Sequence, residues 1–140
     1  MKLKTLFILP LVIFVIGFGI QASGQTAKAT CSVEKTAGDW AFKGSGQLFG
    51  APAMNAGTFH LNKDGTSSSH LFVNVSGTFM EFDATGKTTV AEDCTLGQTW
   101  DDGATPPAKC VVLDDSNEIW CVYTAPYFFD VTLKRIHRRE

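Results

Sequence analysis

From residue 38 onward, apolar and polar residues alternate over short runs rich in Thr, Val and Phe, and Gly, Asp or Asn interrupts these runs at close intervals. A period of two puts alternate side chains on one face of a strand, and no stretch beyond residue 25 sustains the 3.6-residue period of an amphipathic helix. The pattern predicts strands near 38–43, 46–50, 55–62, 67–75, 78–83, 87–93, 96–100, 108–113, 118–124 and 128–136. Lys63-Asp64-Gly65, Ser76-Gly77, Ala84-Thr85-Gly86 and Asp115-Ser116 supply turn residues between them, and Gly44-Ser45-Gly46 reads as a flexible bend between two strands. Thr105-Pro106-Pro107 cannot join a sheet ladder and marks the longest loop. Sequential hairpins favour a meander, and closure removes its unpaired edges. The expected fold class is therefore all-β, a single antiparallel up-and-down barrel of about eight to ten short strands.

Register follows at two places. A two-residue turn at Ser76-Gly77 sets Val75 opposite Thr78, Val73 opposite Met80 and Leu71 opposite Phe82, on one apolar face. The outward face then pairs Asn74 with Phe79, Phe72 with Glu81, and His70 with Asp83, a surface cross-strand contact rather than an acid–base dyad. In the last strand Phe129, Val131, Leu133 and Arg135 share a face. An apolar series ending in arginine suits an inner wall whose end is closed by a guanidinium stacked on a ring, and Trp40, near the start of the first strand, is the natural partner.

The N-terminus alters the chain to be folded. Lys2 and Lys4 precede an apolar run of 15 residues, Leu6 to Ile20, and Ala22-Ser23-Gly24 offers small residues for cleavage before Gln25. Residues 1–24 therefore read as a secretory signal peptide, with residues 25–140 as one β-barrel domain. A membrane anchor fits less well, because the run is shorter than the ~20 residues a spanning helix needs and contains Pro10, Gly17 and Gly19. Lipidation at Cys31 is a weaker rival, given Lys28 in the recognition stretch. Of the 140 residues, 116 remain after cleavage; they keep all 14 acidic residues and ten of the 12 Lys and Arg, a net charge of −4. No basic face is left to suggest a nucleic-acid partner. Acidic residues concentrate between Glu81 and Glu118, and the end from Lys134 to Arg139 is basic; both read as solvated surface. The expected location is secreted or periplasmic, with no stable membrane anchor after cleavage.

All four cysteines, Cys31, Cys94, Cys110 and Cys121, fall in the mature part without C-x-x-C spacing, which indicates two disulfides rather than zinc or redox chemistry. A four-residue turn Asp114–Asn117 places Leu113 opposite Glu118 and Cys110 opposite Cys121, at a non-hydrogen-bonded site where side chains approach closely. That favours Cys110–Cys121 with Cys31–Cys94; Cys94–Cys110 with Cys31–Cys121 is the competing pairing.

Gly38-Asp39-Trp40 at the first strand, with Arg135 late in the last, resembles the opening and closing signature of the calycins, the lipocalin and avidin group of barrels. The resemblance implies a tryptophan plugging one barrel end with the arginine packed on it, and a structural role for Trp40 and Arg135. The chain is also similar to small exported bacterial proteins of unassigned function, through Gly57-Thr58-Phe59-His60-Leu61-Asn62-Lys63-Asp64-Gly65 and Val90-Ala91-Glu92-Asp93-Cys94-Thr95. That likeness implies an exported β-barrel and no particular activity.

No catalytic or metal motif stands out, and no cofactor is expected. Cys94 in Asp93-Cys94-Thr95 lacks a supporting histidine, Gly44-Ser45-Gly46 lacks the context of a nucleophile elbow, and Asn62-Lys63-Asp64-Gly65 lacks the ligand spacing of a calcium loop. His60, His70 and His137 show no metal-ligand spacing. Asp101-Asp102 and Asp114-Asp115 read as loop solvation, and Asn74-Val75-Ser76 is a glycosylation sequon relevant only in a eukaryotic secretory pathway. The aromatic residues offer more. Trp100, Trp120, Tyr123 and Tyr127 are the candidate lining of a ligand pocket, since a small barrel can enclose one small molecule. The leading expectation is an exported non-enzymatic barrel binding a small apolar or amphipathic ligand. The alternatives are a small barrel cyclase or isomerase of the allene oxide cyclase-like kind, and a surface-interaction module with a filled core. Intact-mass measurement of exported protein should find a chain beginning at or near Gln25; a membrane-bound species retaining Leu6 to Ile20 would contradict the signal-peptide reading.

Overall fold

Eight antiparallel strands follow one another in chain order around a closed barrel in the computed structural model, which describes residues 30–113, 116–123 and 125–137. They are β1 (Gly38–Leu48), β2 (Ala51–Leu61), β3 (Thr66–Val75), β4 (Thr78–Val90), β5 (Thr95–Trp100), β6 (Ala108–Leu113), β7 (Glu118–Tyr123) and β8 (Tyr127–Arg135), and β8 pairs back onto β1. The expected signal peptide, residues 1–24, lies outside the described residues.

The ten predicted runs form eight strands, within the expected eight to ten, because two glycine-bearing breaks are not breaks. Gly44-Ser45-Gly46 runs straight through β1, and Ala84-Thr85-Gly86 runs straight through β4. A Cβ on Gly46 would lie 1.8 Å from the Phe128 carbonyl oxygen, and one on Gly86 would lie 2.0 Å from that of Thr99. Glycine is there because a neighbouring strand approaches too closely for a side chain, not because the backbone turns. The true turn after β1 is Phe49-Gly50, both at positive φ (50° and 81°), a place where an aromatic residue disguises a hairpin. One helix also escapes the strand pattern. The single turn α1 (Val33–Thr36) is capped by Ser32 and is too short to show a period.

Elsewhere the register matches the alternation. Ser76 and Gly77 both take positive φ, and β3 and β4 pair Val75 with Thr78, Val73 with Met80, Leu71 with Phe82 and His70 with Asp83. Across β6 and β7, Leu113 faces Glu118 and Cys110 faces Cys121, and these two cysteines are bonded with Cα atoms 4.0 Å apart. The other bridge joins Cys31 to Cys94 and ties the segment before α1 to the β4–β5 turn. Both bridges suit an oxidising compartment.

Large and small inward residues interdigitate between β1 and β2: Trp40 lies opposite Phe59, Phe42 opposite Gly57, Gly44 opposite Asn55 and Gly46 opposite Ala53. Packing is complete at the end where the chain enters. Trp40, Leu61 and Ile119 are at most 1% exposed there. Arg135 seals that end. Its guanidinium lies over the Trp40 ring, 4.5 Å from the centroid, and donates to the carbonyls of Ser116 (2.8 Å), Ala37 (2.8 Å), Lys35 (2.9 Å) and Thr36 (3.3 Å). Trp40 Nε1 donates to the same Thr36 carbonyl at 3.2 Å. Burial lowers the Arg135 pKa from its ordinary value, and it does so without any carboxylate among the acceptors named above.

Replacing Arg135 by alanine should therefore cost at least about 2 kcal/mol, from the lost ring contact and the orphaned carbonyls. Lysine should rescue poorly, because an ammonium cannot stack as a plane and reach four acceptors. Lys134 points outward and pairs at 3.6 Å with Glu118, so Lys134→Ala should change stability by less than about 0.5 kcal/mol. Chemical denaturation compares the variants directly; equal midpoints for the two alanine substitutions would contradict the assignment.

Candidate functional site

The opposite end is open. There the inward face of β4 continues the apolar series with Met80 and Phe82, yet these residues are 39% and 46% exposed. Side chains that occupy core positions by register, and remain wet, line an open mouth rather than a filled core. A cavity of about 290 Å³ occupies this mouth, and a smaller one of about 50 Å³ lies deeper. Asn55, Leu71, Trp100 and Tyr123 line both, so they form the neck between two chambers of one lumen. The larger chamber falls at the lower end of the ~300–1,000 Å³ typical of small-molecule sites.

Of the four pocket candidates, the structure brings three together. Trp100, Tyr123 and Tyr127 all line the mouth chamber. Trp120 is placed elsewhere: it alternates outward on β7, is 53% exposed, and donates its indole N–H to Glu118. It sits one residue from inward Cys121, and the period of two decides against it.

The lining is apolar apart from a few groups, and their hydrogen bonding separates them. Deep in the barrel, Gln98 is fully engaged: its Nε2 donates to Ser67 Oγ at 3.0 Å and to the Thr99 carbonyl at 2.8 Å, while its Oε1 accepts from the Thr88 hydroxyl. At the neck the situation reverses. Asn55 Oδ1 and Trp100 Nε1 are the two buried side-chain polar atoms, among the described residues, that have no hydrogen-bond partner. Both the other tryptophans bond their indole N–H, to Thr36 and to Glu118. Asn55 was not legible as a site residue. Its signal was its pairing with Gly44, where an added Cβ would come within 2.5 Å of Asn55 Oδ1. The missing side chain makes room for an inward amide.

Tyr123 completes the neck. Burial pushes its phenol up to about 12, and the nearby Trp100 indole works against that shift without reaching hydrogen-bond geometry. Asp102, on the β5–β6 loop, borders the mouth chamber, but its carboxylate is taken up by the Thr105 and Ala104 backbone N–H groups (2.9 and 3.0 Å) and by the Thr105 hydroxyl. These bonds hold its pKa below the usual carboxylate value. No Lys, Arg, His or Glu lines either chamber among the described residues.

The histidines with partners sit on the outer wall. His60 Nδ1 lies 2.7 Å from Asp39, and His70 Nδ1 lies 2.8 Å from Asp83 and its Nε2 3.2 Å from Glu81. The hydrogen bond that His70 donates to Asp83 raises its pKa. Both pairs are cross-strand surface contacts. The Asn62–Gly65 turn is likewise a hairpin closure: Asp64 accepts from the Thr66 backbone N–H and hydroxyl.

Tyr123 gives a pH signature. Its folded pKa exceeds that of an unfolded tyrosine, about 10, so the native state holds a proton the unfolded chain releases. Its contribution to stability is complete below about pH 10 and is lost as pH rises toward 12. Ultraviolet titration should show a tyrosine ionising near pH 12 that disappears in Tyr123→Phe, and that variant should lose less stability across the same interval. Full ionisation of the native tyrosines by pH 10.5 would contradict this placement.

The chain matches no protein-family model, and no curated protein is significantly similar to it. Its functional reading therefore comes from the geometry of the lumen.

Proposed function

We propose that this protein is an exported, calycin-like barrel that binds one small, predominantly apolar molecule in its lumen without transforming it. One observation carries the reading. The barrel is packed and sealed at the Trp40–Arg135 end and hollow at the other, with apolar side chains facing the hollow at core register positions. A surface-interaction module with a filled core would pack Met80 and Phe82 against the facing wall, and instead about 290 Å³ lies between. The calycin likeness is supported by Gly38-Asp39-Trp40 and the arginine stacked on that tryptophan. Two disulfides support export into an oxidising compartment.

Proton-transfer catalysis of the cyclase or isomerase kind has less support. It calls for a group near neutrality inside the cavity, whereas Tyr123 is held neutral and Asp102 is engaged within its own loop.

The test is uptake of a small apolar fluorophore. Purified protein should enhance 1-aminoanthracene fluorescence in a saturable, one-to-one manner. Leu71→Trp, which fills the neck from a residue lining both chambers, should weaken binding at least about tenfold while leaving the fold intact by circular dichroism. Saturable binding that survives Leu71→Trp unchanged would place the probe outside the lumen.

A further inference from the structure

We infer that the ligand enters head first and carries a single uncharged hydroxyl-type group, an alcohol or phenol, which docks at the neck between Asn55, Trp100 and Tyr123. This rests on the binding reading above and goes further by assigning the ligand's polarity and charge.

The argument begins with what the neck offers. Asn55 Oδ1 is an acceptor lacking a donor, and Trp100 Nε1–H is a donor lacking an acceptor. Their residues line the junction of the two chambers from β2 and β5, strands three apart around the ring. A hydroxyl is the smallest group that donates one bond and accepts another at once. It satisfies both atoms together, and Tyr123 stands beside Trp100 as a further partner. A hydrocarbon leaves both atoms unpaired. A carboxylate finds no Lys, Arg or His on the described lumen wall to balance its charge.

Chamber sizes set the direction. The inner chamber, about 50 Å³, holds a few waters but falls well below the ~150 Å³ of a cavity that takes benzene, so it cannot receive an aromatic body. The body must occupy the larger chamber between Val73, Met80, Phe82 and Phe129, which lies on the mouth side of the neck. The polar head is thus the deepest part of the ligand, and the apolar body faces the exit. Met80 and Phe82, half-exposed in the structure, are the residues that such a body covers.

Three molecules with one apolar body separate these requirements: naphthalene, 2-naphthol and 2-naphthoate, each titrated calorimetrically into the purified protein. The expected order places 2-naphthol at least about tenfold tighter than either of the others. Asn55→Leu and Trp100→Phe should each narrow the preference for 2-naphthol over naphthalene, measured on the same variant, to within about threefold. Trp100→Phe keeps a ring at the neck, so it remains informative if Asn55→Leu fails to fold. A crystal structure of the 2-naphthol complex should show the oxygen at Asn55 and Trp100. Equal affinity of naphthalene and 2-naphthol, tightest binding of 2-naphthoate, or a naphthol oxygen at the rim beside Asp102 with water bridging Asn55 and Trp100 would each overturn the inference and leave the binding function standing. Failure of all three compounds together with 1-aminoanthracene would overturn the binding function itself.

Discussion

The guanidinium of Arg135 is the contact on which the rest of the barrel depends. An up-and-down meander is stable only when its last strand finds its first, and the β1–β8 seam joins residues almost a hundred positions apart. Closing so long a loop is entropically costly, and a ladder of backbone bonds alone does not fix its register. Arg135 fixes it by geometry: directly opposite Trp40 in the ladder, it stacks on the ring and reaches carbonyls on both sides of the seam, in α1 and its C-cap and in the β6–β7 turn. A slip of one residue would send the side chain to solvent and leave those carbonyls unpaired. The Cys31–Cys94 bridge then ties down the segment leading into α1, which together with its C-cap Ala37 supplies three of the acceptors.

From that sealed end the barrel changes character along its axis. Next come buried Leu61, Ile119, Leu133 and Leu96, then the satisfied polar set around Gln98, then the neck, and finally the half-wet Met80 and Phe82. The Cys110–Cys121 bridge is set into the wall of the inner chamber, where it links β6 and β7 beside the empty space. A hollow removes packing partners from the side chains around it, and a cross-link in that wall keeps two of its strands in register independently of packing. Stability and cavity thus occupy different ends of one fold.

Much of this was written in the alternation. The period of two placed Val73 and Leu71 inward, His70 and Asp83 outward, and Cys110 against Cys121, because a hairpin with a defined turn leaves no freedom in its register. Apart from Trp120, which the alternation of its own strand excludes from the lumen, the errors share one cause: a residue type was read for its local preference when a long-range contact had chosen it. Gly46 and Gly86 looked like bends and are close approaches between strands. Phe49 looked like strand and forms a turn. Asn55 carried no signal within its own strand and is an inward amide whose space is left by Gly44 across the ladder. Such choices depend on which strand lies beside which, and alternation within one strand does not contain that information.

The unpaired atoms at the neck bear on why the cavity exists. A buried polar atom without a partner costs about 1–3 kcal/mol, so two such atoms consume a real share of the ~5–15 kcal/mol that holds a small domain together. Leucine at 55 and phenylalanine at 100 would remove that cost with little change of volume, and the same chain shows that it can satisfy buried polar groups elsewhere. Gln98, two residues before Trp100 on the same strand, is fully bonded, and the inward indole of Trp40 has its carbonyl. Among the described residues, the deficit is confined to the place where the two chambers meet. A donor and an acceptor left open there, at the foot of an apolar chamber, cease to be a defect once a molecule with the complementary pair of bonds occupies it, because the binding step then recovers what folding left unpaid.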